Sequence, residues 1–281
     1  MFAKLLKHEW RATAGVQAAL CAAIVSLGAL GMANVSALIR NGEELSDLAG
    51  VSMGLGVVFI YLALVICTAA SGVLLMVRYY RSRFTDQGYL TFTLPVNVHQ
   101  NFLAAFVNNL VWTVLTGVCV VLAFVLIGIA VTNAIGPEAF QEVKETFSFL
   151  LGDVDEQVWQ VVKPLIPGYV IQMLVGWLYA IILPMTCLTV GATLAKKHKI
   201  LAAIGIYYLI SMATSMLQNA LTMTMSEEVF YDLELSLENG PAAAQELLQQ
   251  ILLTTLPVQL VLLVGCYILS TQIMKKRLNL N

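Results

Sequence analysis

Six uncharged apolar stretches, at about 14–38, 51–77, 102–132, 165–195, 200–225 and 251–274, limit what this chain can fold into. Each reaches the ~20 residues that a helix needs to cross the hydrocarbon core of a bilayer, and none holds a Lys, Arg, Asp or Glu. Composition points the same way: 59% of the 281 residues are hydrophobic and 11% are charged, whereas soluble domains carry about a quarter charged residues. The expected fold is an all-α integral membrane protein, with six transmembrane helices in one domain spanning 1–281.

The charges between the stretches set the expected orientation, because short segments rich in Lys and Arg stay on the cytoplasmic side. Lys4, Lys7 and Arg11 precede the first stretch, and Arg78, Arg81 and Arg83 follow the second. Lys196, Lys197 and Lys199 follow the fourth, while Lys275, Lys276 and Arg277 close the chain. Only Glu9 and Asp86 oppose them in those segments. The alternate segments, 39–50, 133–164 and 226–250, hold Arg40, Lys144 and Lys163 together with all the remaining acids. Six crossings with cytoplasmic N and C termini satisfy this alternation at every step, so 133–164 and 226–250 are expected outside.

Within residues 1–13, Phe2, Leu5, Leu6 and Trp10 recur at helical spacing, with Lys4, Lys7, His8 and Arg11 on the other side. This is the pattern of an amphipathic helix lying in the cytoplasmic interface, and a plain positive anchor is the alternative. The apolar run from about Ala12 to Ile39 is too long for the roughly 7–15-residue core of a cleaved signal, so a retained first span is expected. Cys21, Cys67, Cys119, Cys187 and Cys266 all fall inside the stretches without paired spacing. They read as free thiols acting as small apolar side chains, with no metal site.

Intramembrane Asp, Glu or His marks proton-coupled carriers and pumps, and none occupies a central position here: His8, His99 and His198 all sit at the edges. Intramembrane hydrolases need a carboxylate pair, a metal-binding His cluster or a Ser–base pair, so no catalytic residue is assigned and no enzyme is expected. Channels built on charged selectivity rings are disfavoured for the same reason. No GxxxxGK[ST] phosphate loop is present, and "GATLAKKHK" has the wrong spacing. If nucleotide hydrolysis drives this protein, the ATPase is another polypeptide and a docking element must face it.

The segment 78–101 offers one. Arg81 and Arg83 leave the second stretch, Gly88 permits a sharp backbone change, and "YLTFTL" alternates Leu90, Phe92 and Leu94 with Thr91 and Thr93. Pro95 stops any helix before it, and Asn97 with Gln100 three residues on forms a capping-box start for the third span. The result is a short element with an apolar edge, suited either to lipid headgroups or to a groove on a partner.

"FTDQGYLTFTLPVNVHQ" resembles the cytoplasmic loop between the second and third helices of permeases in the type-2 ABC exporter family, and "MFAKLLKHEWRAT" resembles their opening amphipathic helix. The six-helix layout with both termini inside extends that resemblance over the whole chain. It implies a permease subunit of an ATP-driven exporter, paired with a second permease copy or a related permease and with ABC ATP-binding subunits that carry the ATP and Mg. Gly88, Tyr89, Leu90, Thr91, Phe92, Leu94 and Pro95 become the partner-coupling residues by that analogy. The bacterial inner membrane becomes the expected location, with the lipid bilayer as surroundings and no nucleic acid partner. Two other readings stay open at this level: a membrane anchor that recruits a soluble partner through the same loop, and an ion-coupled secondary carrier.

In the fifth stretch Tyr208, Ser211, Ser215, Gln218 and Thr222 recur every three or four residues. Polar side chains in a span turn to protein or water rather than to lipid tails, so this stripe is either a translocation-path lining between two copies or ordinary interhelical bonding. Pro184 removes a helical hydrogen bond from the fourth span and predicts a kink or local unwinding there. Gly50 and Gly54 form a GxxxG expected to permit close helix contact. Asn239-Gly240-Pro241 marks a break in the last acidic segment.

Overall fold

A computed structural model describes residues 2–41, 47–85, 88, 97–151, 163–195, 198–239 and 241–277, with side chains placed over 2–40, 50–85, 88, 97–133, 163–195, 198–221, 249 and 252–276. The described residues are helical, without strands. In chain order the helices are α1 (Phe2–Asn41), α2 (Asp47–Phe84), α3 (Val98–Leu151), α4 (Ile166–Leu194), α5 (Lys199–Asn239) and α6 (Pro241–Arg277). Each contains a segment long and apolar enough to cross a membrane, and helices satisfy every backbone polar group internally, as hydrocarbon demands. The protein is a multi-pass membrane protein.

Helix bounds depart from the sequence expectation at four places. Residues 2–13 form no separate helix; they continue into the first span as one 40-residue helix. α2 runs to Phe84, so Arg78, Arg81 and Arg83 are helical and the segment expected over 78–101 shrinks to 85–97. α3 has 54 residues, about 80 Å at 1.5 Å per residue. Its length exceeds a bilayer core of ~30 Å, so the helix continues into 133–164, the segment expected outside the membrane. α5 likewise continues to Asn239, and α6 starts at Pro241, where the proline ring is pre-set for a first helical turn. Apolar length therefore located the spans, while the polar flanks kept the helix going.

The chain divides into two compact units. The first, 1–81 with 103–148, joins α1, most of α2 and α3. Ile24, Leu64 and Ala123, one from each helix, are buried at its centre, with Leu27, Ile60 and Ile127 packed around them. Close approach here depends on Gly28 against Ala123: a methyl on Gly28 would lie 2.6 Å from the Ala123 Cα. Among the described residues the GxxxG makes no close contact, since a Cβ on Gly50 or Gly54 would meet nothing within 4 Å.

Beside that apolar centre runs a buried polar seam which the apolar reading of the spans did not anticipate. Gln17 Nε2 donates to the Ser71 carbonyl at 3.1 Å, Ser71 Oγ donates to Gln17 Oε1 at 2.7 Å, and Ser71 Oγ lies 3.1 Å from Thr116 Oγ1. Towards the N-terminus of α1, Trp112 Nε1 donates to Thr13 Oγ1 at 2.9 Å and Trp112 stacks on Trp10 with centroids 4.5 Å apart. These contacts hold the start of α1 against α3. Glu9, one of the two acids among the basic segments, is buried. Interhelical hydrogen bonds of this kind contribute about 0.6–1.7 kcal/mol in a membrane. Gln17→Leu combined with Ser71→Ala in a double-mutant cycle is expected to return a coupling of about 1 kcal/mol, read from detergent unfolding; a coupling of zero would remove the seam from the stability account.

The second unit comprises 82–102 with 149–281. α4 is its central helix, buried along Ile181, Ile182, Leu183, Met185, Thr186 and Cys187 and packed by both α5 and α6. Gly191 brings α4 against the backbone of Ala203 at the start of α5. Gln172 Nε2 donates to Thr255 Oγ1 at 2.9 Å, joining α4 to α6. α4 runs through Pro184 as one helix from Ile166 to Leu194, so the predicted unwinding does not occur. All five cysteines are free, with Cys187 and Cys266 buried.

Candidate functional site

The site is built where α2 ends and α3 begins. α2 stops at Phe84, and the Gly88 amide donates to the Thr85 carbonyl at 2.7 Å, a tight turn at the mouth of the 85–97 segment. Gly88 is buried, and any Cβ there would collide with the carbonyl of Arg83. Glycine is required at that position by close backbone approach. At the other end, the Asn97 carbonyl accepts the amide of Asn101 at 3.1 Å, placing Asn97 as the residue that opens α3.

Arg83 closes the base between these two ends. It is 1% exposed, a burial that the charge pattern does not announce. Its Nη1 donates to Ser82 Oγ at 2.7 Å, and its Nη2 donates to both the carbonyl and the Oδ1 of Asn101 at 3.0 and 2.9 Å. A buried cation is costly unless its donors are satisfied, and the planar fork of a guanidinium satisfies several fixed oxygens at once. Asn101 is itself 2% exposed. One side chain thus ties residues 18 positions apart and fixes the two roots of the segment between them.

The first turns of α3 then reach α6. His99 Nδ1 lies 3.2 Å from the Tyr267 hydroxyl, and Phe102 meets the Tyr267 ring edge-on with centroids 5.7 Å apart. Sequence reasoning missed Arg83, Asn101, His99 and Tyr267 as a group, because nothing in their spacing relates residue 83 or 99 to residue 267.

Of the coupling residues expected from the sequence, Gly88 lies in this base, while Tyr89, Leu90, Thr91, Phe92, Leu94 and Pro95 lie outside the described residues. The polar stripe on α5 is graded. Thr214, which the sequence reading passed over, is buried; Ser211 and Gln218 are half-buried; Tyr208 and Ser215 are exposed. The Thr222 side chain is outside the described set. The stripe therefore runs from a buried edge at Thr214 to exposed residues at Tyr208 and Ser215. Among the described residues, no three His, Cys, Asp or Glu side chains come together as a metal-binding group.

No family model, curated protein or solved structure matches this chain.

Proposed function

We propose that this chain is the membrane-spanning permease subunit of an ATP-driven ABC exporter, and that the 85–97 segment is its docking element for a separate ATP-binding subunit that carries the ATP and Mg. The observation that carries the reading is the pairing of "GYLTFTLPV" with a base fixed by buried Arg83 and Asn101. A docking element that transmits force needs rigid roots, and hydrogen bonds from a buried guanidinium to two elements supply them. The charge alternation supports N and C termini on the cytoplasmic side of a bacterial inner membrane, with the segment on the same face as the ATPase.

Polar groups exposed along a span are unfavourable against lipid tails. Tyr208 and Ser215 open outward from the single chain, which supports a second permease copy or a related permease facing α5, with the stripe lining the path between them. Closure and separation of the ATPases then alternate the path between inward and outward openings.

Leu90→Asp places a charge on the apolar edge of the docking element. The expected result is a loss of about tenfold or more in Mg-ATPase activity retained on the affinity-purified chain, in line with the several kcal/mol cost of burying an unpaired charge, at an unchanged membrane level of the chain itself. Undiminished ATPase activity with Leu90→Asp contradicts the assigned role of the segment. Binding of a soluble protein without ATPase activity favours the anchor reading instead.

A further inference from the structure

We infer that Tyr267 is a positioning residue that passes movement of the docking element to the buried Thr186–Ser270 contact beside Pro184. The inference rests on the exporter reading and goes beyond it by naming the route.

The route starts at Asn101, which Arg83 grips by both its carbonyl and its side chain. His99 and Phe102 occupy the same opening turns of α3, so a displacement of the loop roots moves them together with Asn101. Both end on one ring, His99 through its Nδ1 at 3.2 Å from the hydroxyl and Phe102 through an edge contact at 5.7 Å. A hydroxyl held at one end and a ring packed at its side give Tyr267 little freedom to yield alone.

Tyr267 stands directly beside the polar joint between α6 and α4. The Ser270 hydroxyl, one turn further along α6, lies 2.9 Å from Thr186 Oγ1 and 2.8 Å from the Cys266 carbonyl. Thr186 Oγ1 is also within 3.3 Å of that carbonyl. Thr186 and Ser270 are 0% exposed. Closely packed interiors shift between discrete arrangements rather than deforming gradually, so a tilt of α6 at Tyr267 is handed to Thr186 instead of being absorbed.

Thr186 follows Pro184 by two residues, where α4 lacks the amide that would bond the Ala180 carbonyl. The joint therefore meets α4 at its weakest turn. This gives the unbroken helix through Pro184 a role: it is a position where α4 can bend when α6 moves.

Two native thiols report on this joint, since Cys187 and Cys266 are buried beside it. The experiment uses the chain purified together with its ATPase, with Cys21, Cys67 and Cys119 replaced by alanine. The labelling rate of the two remaining thiols by N-ethylmaleimide is measured with and without ATP, Mg and vanadate. The expected nucleotide effect is a change of about threefold, within the range of measured couplings between distant sites. His99→Ala and Tyr267→Leu are expected to abolish it and Tyr267→Phe, which keeps the ring, to reduce it, while the bound ATPase is retained.

A nucleotide effect that persists in Tyr267→Phe, Tyr267→Leu and His99→Ala overturns the route and leaves the exporter reading standing. So does a wild-type complex whose labelling ignores nucleotide. A chain that never carries an ATPase overturns the exporter reading and the route together. Should Tyr267→Leu lose the ATPase through misfolding, the Tyr267→Phe and His99→Ala results decide.

Discussion

Arg83→Met is expected to open the base of the 85–97 segment and to cost about 2–4 kcal/mol of stability. The substitution keeps much of the side-chain volume but removes the hydrogen bonds donated to Ser82 Oγ and to the carbonyl and Oδ1 of Asn101. Hydrogen bonds from a charged donor contribute about 1.5–3 kcal/mol each. Relief of the buried cation's desolvation offsets part of that loss, which sets the expected net below the sum. Asn101 is 2% exposed, so its freed oxygen gains little water in exchange. The measurement is limited proteolysis within 85–97 together with the detergent unfolding midpoint. Cleavage is expected to accelerate by at least about tenfold, the factor that ~1.4 kcal/mol of local opening produces. Arg83→Lys is expected to recover only part of the loss, because one ammonium cannot reproduce a fork that reaches Ser82 and Asn101 together. Unchanged proteolysis and unchanged unfolding in Arg83→Met would remove the clamp from the account.

Leucine substitutions at three glycines are expected to divide sharply by position. At Gly28 even the first added carbon would lie 2.6 Å from the Ala123 Cα, and at Gly191 it would lie 2.6 Å from the Ala203 nitrogen. Both obstacles are backbone, which cannot rotate away. α1 must separate from α3 in the first case, loosening the packing around Ile24 and Leu64; α4 must separate from α5 in the second. Overpacking of this kind costs about 1–3 kcal/mol and can exceed that, so both variants should unfold at clearly lower temperature. Gly54→Leu meets open space and should change stability by no more than about 0.5 kcal/mol. If Gly54→Leu proves as damaging as Gly28→Leu, the glycine of the GxxxG is packed against something beyond the described residues.

These particular residues show how far the sequence carries and where it stops. The six spans were legible because apolar length is a local property and lipid admits few alternatives to a helix. The Asn239-Gly240-Pro241 break was legible for the same reason, since its turn and helix-start preferences reside in three adjacent residues. The burial of Arg83 was not legible because exposure depends on what lies across space: residue 101 supplies two of its acceptors, and no pattern near residue 83 announces it. Gln17, Ser71 and Thr116 were passed over because single polar residues scattered through apolar stretches carry no signature until three helices bring them together. The GxxxG went the opposite way, as a local motif with no close contact among the described residues, while Gly28 did the work without any motif. The stripe on α5 was located correctly as polar residues on neighbouring turns; its buried edge at Thr214 emerged only with the packing of the second unit.

The central claim is that the segment between α2 and α3 engages an ATPase. Its most direct test is purification of the tagged chain from its native membrane in mild detergent, followed by mass spectrometric identification of the polypeptides that remain bound. The account predicts a polypeptide with a GxxxxGK[ST] phosphate loop, present in stoichiometric amount and lost when the Gly88–Pro95 segment is replaced by a Gly/Ser linker of equal length. Recovery of the chain without such a polypeptide, or with one whose binding ignores the replacement, contradicts it.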